Sequence, residues 1–233
     1  MVLEASYEHL GRAPLFAELS RQIMASVTDA ATVRQVSIGA ILFHQGDPSD
    51  SFVLIAEGLA RLTQLSPDGV QTTLRIAGAG AVIGCVAALQ QFPYPATATV
   101  IADGTVLSWR RPLFRALMRR HPALAENTLR IVGTHARDMV ARVVETSGKR
   151  VEQRIAGALL RLAGEVGTEV EAGIQLAFPI TRDDLAGMAG VTYFTISRVL
   201  SRWQRGGLVR NGRQRLIILA PAQLGRLAAG RKT

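Results

Sequence analysis

The chain has 233 residues, enough for one large domain or two smaller ones with their own cores. Hydrophobic residues make up 48% and charged residues 19%, with no low-complexity tract, which excludes an intrinsically disordered chain. The net charge of +9 is uneven: residues 1–148 carry 13 Lys+Arg against 12 Asp+Glu, and residues 149–233 carry 14 against 6. A neutral half joined to a basic half predicts a polyanion-binding domain at the C-terminal end. The longest uncharged apolar run, 76–89, has 14 residues where a bilayer needs about 20, so no transmembrane helix is expected. Glu4 and Glu8 stand where a secretory signal would carry basic charge. The expectation is a cytoplasmic protein with no membrane partner. A single cysteine, Cys85, excludes an internal disulfide, a zinc site of several cysteines and a cysteine-ligated iron–sulfur cluster.

In chain order, 8–25 reads as a helix with Leu10, Leu15, Phe16, Leu19 and Ile23 on one side. Eight short apolar runs follow at 33–38, 40–44, 51–56, 60–65, 71–76, 81–84, 97–101 and 105–109. Turn signals such as Gln45-Gly46-Asp47-Pro48, Glu57-Gly58 and Ser66-Pro67-Asp68-Gly69 separate them, a pattern that predicts an antiparallel barrel or roll. Residues 112–145 are expected to be helical. Within them Ala125, Leu129, Val132, Ala136, Met139 and Val143 recur at spacings of 4, 3, 4, 3 and 4. Such a seam serves a two-stranded homodimer or packs on the chain's own roll. Ser147-Gly148 reads as a hinge. Residues 151–162 form an amphipathic helix on Ile155, Leu159 and Leu162, and a glycine-rich loop leads to a short strand, 174–178, ended by Pro179.

The most informative stretch comes next. Thr181-Arg182-Asp183-Asp184 is a capping box opening a helix over 182–189. Gly190 supplies a left-handed turn residue, and Thr192 can cap a second helix over 193–205. Leu185, Ala186, Ala189, Val191, Ile196 and Val199 would hold the pair together as a helix-turn-helix. Tyr193, Phe194, Thr195, Ser197, Arg198, Ser201 and Arg202 would then face outward, toward a major groove. Asn211-Gly212 between 208–210 and 213–219 predicts a hairpin, a wing whose Arg210, Arg213 and Arg215 can grip phosphate.

With these residues in place, the chain resembles the CRP/FNR family of bacterial transcription regulators over nearly its whole length. Phe43-His44-Gln45-Gly46-Asp47, Ile55-Ala56-Glu57-Gly58, Val82-Ile83-Gly84, 151–156 and 180–208 carry the resemblance. It implies an α+β fold: an N-terminal antiparallel β-roll sensor (1–111), a long dimerisation helix (112–147) and a C-terminal winged helix-turn-helix (148–233). It also implies double-stranded DNA, a second copy of the chain and RNA polymerase as partners. The seam residues Leu129, Val132, Ala136, Met139 and Val143 become the expected dimer interface. Thr181, Thr192, Tyr193, Phe194, Thr195, Ser197, Arg198, Arg202 and Arg213 become the expected DNA contacts.

Two departures sharpen the reading. FNR-like members show Glu-x-x-Ser-Arg in the recognition helix, where this chain has Phe194-Thr195-Ile196-Ser197-Arg198. A phenyl ring cannot accept from cytosine N4 but can touch a thymine methyl, so an altered half-site is expected there. Cyclic-nucleotide-binding members follow the Ile-Gly turn with Glu-Leu and later place Arg-Ser-Ala. Here the segments read Cys85-Val86 and Tyr94-Pro95-Ala96-Thr97, with no arginine between Arg75 and Arg110. Neither cAMP nor an iron–sulfur cluster is therefore expected, and an apolar pocket remains. Its candidate residues are Leu74, Ile76, Ile83, Gly84, Cys85, Val86, Leu89, Thr97 and Met139. The 94–97 stretch resembles the nitric-oxide-responsive branch, which makes haem a candidate effector and His135 a candidate ligand, with Cys85 a candidate thiol sensor. An enzyme is not expected, because no nucleophile–base pair or phosphate loop occurs and only His44 lies among the strands. The alternatives are a cAMP-binding regulator, or an effector-binding module whose basic half docks a protein.

Overall fold

The computed structural model describes residues 10–176, 180–212 and 215–230. The chain divides into two compact units, Met1–Gln64 with Ala77–Asp138 and Leu65–Ile76 with Met139–Thr233. The 65–76 segment groups with the C-terminal unit.

Within the described part of the helix expected over 8–25, the chain has a 3-10 turn, Pro14–Phe16, and a separate helix α1 (Arg21–Asp29); residues 8 and 9 lie outside the described residues. Pro14 has no N–H to continue a helix, and Ser20 restarts one by accepting the Ile23 N–H at 3.3 Å. The eight apolar runs all become strands: β1 (Thr32–Val36), β2 (Ile41–Phe43), β3 (Ser51–Ile55), β4 (Leu59–Leu65), β5 (Gln71–Ala77), β6 (Val82–Ile83), β7 (Thr97–Ala102) and β8 (Gly104–Arg110). They form two four-stranded sheets ordered β1-β8-β3-β6 and β2-β7-β4-β5.

Strand β3 is buried on both faces, and its period of two sorts the core. Phe52 and Leu54 point into a cluster with Trp109, Phe114 and Leu124. Val53 and Ile55 point into another with Phe43, Ile83, Tyr94 and Ala98. Phe52 meets Phe114 edge-on at 4.4 Å, and the Trp109 indole donates to the Val27 carbonyl at 2.8 Å. A short helix α2 (Cys85–Gln90), absent from the sequence reading, follows the Ile83-Gly84 turn.

The helix expected over 112–145 is two helices, α3 (Arg111–Arg120) and α4 (Pro122–Gly148). Pro122 removes a donor and pushes His121 out of the helical region, to φ −128° and ψ 87°. The inner face of α4 buries Leu124, Asn127, Thr128 and Ile131, and the Asn127 amide donates to the Leu15 and Ala17 carbonyls at 3.1 and 2.7 Å. Because α4 runs through Gly148, the hinge expected at Ser147-Gly148 falls within the helix, and the break before α5 (Val151–Val166) is at Lys149-Arg150.

In the second unit Ile155, Leu159 and Leu162 of α5 are buried as the amphipathic pattern predicts. The loop expected after it contains a strand, β9 (Gly167–Val170), paired antiparallel with β10 (Gly173–Leu176). All four β9 residues are exposed, so no apolar alternation marked it. Helices α6 (Arg182–Ala189) and α7 (Tyr193–Arg205), strands β11 (Val209–Gly212) and β12 (Arg215–Ile218), and a further helix α8 (Pro221–Ala228) complete the unit. The sheet order is β11-β12-β10-β9.

Candidate nucleic-acid interface

The helix-turn-helix is built by two caps and one glycine. Thr181 Oγ1 accepts the Asp184 N–H at 3.1 Å, while Asp184 Oδ2 accepts the Thr181 N–H at 2.9 Å. This reciprocal box opens α6. Gly190 stops it at φ +62°, a left-handed backbone with no Cβ penalty, and the Val191 N–H returns to the Ala186 carbonyl at 3.0 Å. Thr192 then starts α7 by accepting the Thr195 N–H at 3.3 Å. Leu185, Ala186, Ala189, Ile196, Val199, Leu200 and Trp203 are buried where the motif packs.

The other face of α7 is open. Phe194 is 83% exposed and stands edge-on to exposed Tyr193 at 6.0 Å. Arg198, Ser201 and Arg202 are exposed, and Thr195 and Ser197 are half-buried beside them. No acid occurs in α7. Arg182, which the sequence reading left off the face, donates to Ser197 Oγ at 3.4 Å, so the residue after the first cap joins the same surface. Its signal was its place in the first turn of α6. Arg202 is partly committed, with its guanidinium 2.5 Å from Glu152 Oε1 on α5.

The wing forms with a different register from the one expected. Asn211 pairs with Leu216 and Gly212 with Arg215, so Asn211-Gly212 belong to the paired strand and are not the turn. The turn signal falls two residues early because ladder pairing across Leu216 and Arg215 outweighs the local preference. Arg213 lies outside the described residues. Arg210 and Arg215 are exposed, and Arg182 and Arg215 border a cavity of about 150 Å³ between the wing and the helices.

The expected effector-pocket residues fall in different packing environments. Ile83 faces the cluster of Phe43 and Tyr94, whereas Cys85, Val86 and Leu89 of α2 pack with Phe52 and Trp109. Thr97 Oγ1 accepts the Gln45 N–H at 3.0 Å. Ile76 is fully buried, the Leu74 carbonyl accepts from Arg142, and Met139 is 69% exposed on α4. Beside the Ile83-Gly84 turn, Tyr94 stacks on Phe43 at 4.1 Å, with its hydroxyl on the Ser51 carbonyl. A Cβ at Gly84 would stand 2.9 Å from the Tyr94 ring and 3.3 Å from Phe43, so aromatic carbon fills the space next to this turn. Residues 76–109 hold no lysine or arginine. These residues do not fit a cyclic phosphate, which needs a cation and free donors. Burial pushes the Tyr94 phenol up from its ordinary value.

Among the described residues no group of three or more His, Cys, Asp or Glu is placed to hold a metal ion, and no helix is long and apolar enough to cross a membrane. His135 is half-buried on α4. Of the seam residues, Leu129, Met139 and Val143 are 71%, 69% and 65% exposed, and Ala136 is exposed. Val140 and Val144 stand exposed beside them. Val132 instead packs partly against the Phe52–Trp109 cluster.

Residues 33–121 match the family model of the cyclic nucleotide-binding domain, and residues 153–227 match that of the Crp-like helix-turn-helix domain. The chain is 30% identical to the cyclic AMP receptor protein of Thermus thermophilus over 192 residues, 82% of this chain and 86% of that one. It is 24% identical to a CRP-like cAMP-activated global transcriptional regulator of Mycobacterium tuberculosis, covering 95% and 99% of the two chains. Among solved structures, a CRP-family transcriptional regulator from Thermus thermophilus superposes with a TM-score of 0.69 at 25% identity, covering 85% of this chain and 97% of that one. With both domains matched in order along one chain, the protein belongs to the CRP/FNR family of DNA-binding transcription regulators.

Proposed function

We propose that the chain acts as a homodimer reading a palindromic operator in the cytoplasm, with its affinity set by a small effector held in the roll. The observation that carries this is the α7 face: Tyr193, Phe194 and Arg198 stand outward with no acid among them, on a doubly capped helix-turn-helix. In this reading Arg198 bonds guanine O6 and N7, and Phe194 covers a thymine methyl. Thr181, Thr192, Tyr193, Thr195, Ser197, Arg202 and Arg213 contact phosphates or neighbouring base edges, with Arg182 added to them. The exposed row Leu129, Met139 and Val143 supports a second copy as the partner that covers α4. RNA polymerase is the proposed downstream partner, and 1–111, 112–147 and 148–233 are the proposed sensor, dimerisation and DNA-binding segments.

Two relatives are named for cyclic AMP, but here the phosphate cation is missing and two rings fill the space by the turn. The proposed effector is therefore an apolar small molecule. Haem, read out by nitric oxide, is the first to try, with His135 as the ligand to substitute. A Soret band that saturates at one haem per chain and shifts with gas supports it; the spectrum of free haem refutes it.

Selection from a randomised duplex pool tests the DNA reading. The expected product is a palindrome with half-sites about 34 Å apart. Its affinity should fall about 10³–10⁵-fold between about 50 and 200 mM salt, as release of counterions from about 6–10 phosphates requires. No enriched sequence together with a shallow salt dependence would refute it in favour of a protein-docking module.

A further inference from the structure

The segment between β4 and β5 looks, in sequence, like an ordinary surface hairpin of the roll: Ser66-Pro67-Asp68-Gly69 is its turn. Its residues from Leu65 to Ile76 belong instead to the unit that contains the helix-turn-helix. Three successive residues of β5 each engage a different helix there. Thr73 Oγ1 donates to Asp184 Oδ1 of α6 at 2.9 Å. The Leu74 carbonyl accepts from Arg142 of α4. Arg75 Nε lies 2.9 Å from both carboxylate oxygens of Glu165 on α5.

Asp184 is the informative partner. It is 2% exposed, and its two oxygens have different duties. Oδ2 closes the capping box with the Thr181 N–H and hydroxyl, while Oδ1 takes the Thr73 hydroxyl. The same carboxylate therefore starts α6 and holds the hairpin against it. One turn further along α6, on the same face, Gly187 lets the backbone of Thr73 approach. A Cβ there would lie 2.8 Å from Thr73 N and 3.0 Å from Thr73 O, closer than packed atoms tolerate. Asp184 and Gly187 together make a seat for one residue of the hairpin.

We propose that the β4–β5 hairpin is a structural member of the DNA-reading unit, and that Thr73 is a positioning residue which seats α6 and, through it, the recognition helix α7. This rests on the DNA reading given above. Helix α7 is held by its packing on α6, so an α6 that has lost its seat samples more orientations. The free energy of ordering it is then charged to DNA binding.

The test uses the full chain as wild type, Thr73→Val, Thr73→Ser and Gly187→Ala. Valine keeps the shape of Thr73 without the hydroxyl, and serine restores the hydroxyl. Alanine at 187 favours the helix itself but pushes the hairpin away. Amide exchange is followed in α6 and in β3 and β8, and affinity is measured on a duplex selected by the wild type. Thr73→Val and Gly187→Ala should exchange α6 amides about tenfold faster, with β3 and β8 unchanged. Both should bind the duplex about fivefold more weakly, and Thr73→Ser should match the wild type. Unchanged α6 exchange overturns the proposal, as does faster exchange with affinity within about twofold of wild type. Thr73→Ser behaving like Thr73→Val also overturns it. A wild type that selects no duplex refutes the DNA reading itself, and α6 exchange alone then decides whether the hairpin seats the helix.

Discussion

Met139→Asp should separate the two copies of the chain. Leu129, Met139, Val140, Val143 and Val144 are each 60–71% exposed on α4. Fully burying such a side chain is worth about 1.5–3 kcal/mol, so covering the exposed part gains about 1–2 kcal/mol each. Both copies contribute, giving a gross gain of about 10–20 kcal/mol. Association costs about 4–15 kcal/mol, so the net supports a dimer with little to spare. Replacing Met139 removes about 2–4 kcal/mol across the two copies. It also sets two carboxylates into an apolar seam, where each lacks a partner and costs a few kcal/mol more. At about 1.4 kcal/mol per tenfold, the dissociation constant should rise by at least about 10³. Sedimentation velocity at about 1 µM should then report a monomer for the variant and a dimer for the wild type. A variant still dimeric at that concentration, or a wild type already monomeric, would sink the α4 seam.

Arg198→Ala should weaken binding to the selected operator by about 10–100-fold, the worth of one bidentate guanine contact, and binding to unrelated duplex by only a few fold; equal losses in a competition assay would deny it a base-reading role. Thr181→Ala removes the hydroxyl that accepts the Asp184 N–H and should cost about 1 kcal/mol. Calorimetry should show that as a fall in Tm of about 4–8 °C for the C-terminal unit, and an unchanged Tm would refute the cap. The Tyr94 phenol, raised chiefly by burial, should titrate above 10 in an absorbance titration of the phenolate band. Its contribution to the roll is present below the unfolded value near 10 and is lost as pH climbs through the raised value. Tyr94→Phe should therefore flatten the loss of stability at high pH, and an unaltered profile would count against the burial.

Local rules made much of the DNA-reading motif legible. Thr181 with Asp184, Gly190 and Thr192 bound both of its helices at the positions observed, because a cap or a left-handed glycine acts within four residues of itself. The eight strands of the roll were legible for a similar reason: alternation and turn residues are encoded in adjacent positions. Where two local signals competed, the stronger backbone constraint won. Pro14 and Pro122 each broke a helix that apolar spacing alone had extended.

What the tertiary structure decided concerns partners far apart in the chain. No spacing rule links Thr73 to Asp184, 111 residues on, or Arg75 to Glu165, so the transfer of a roll hairpin to the DNA-reading unit left no mark in sequence. The ion pair from Arg202 to Glu152 and the wing register through Asn211 and Leu216 are of the same kind. So is the division of Ile83 from Cys85, Val86 and Leu89 between two cores, since α2 turns neighbouring residues to opposite sides. By itself the sequence determined the family, the eight strands of the roll and the outward face of the recognition helix. Those follow from residue type and short-range periodicity, whereas the seats between elements follow only from which surfaces the folded chain brings together.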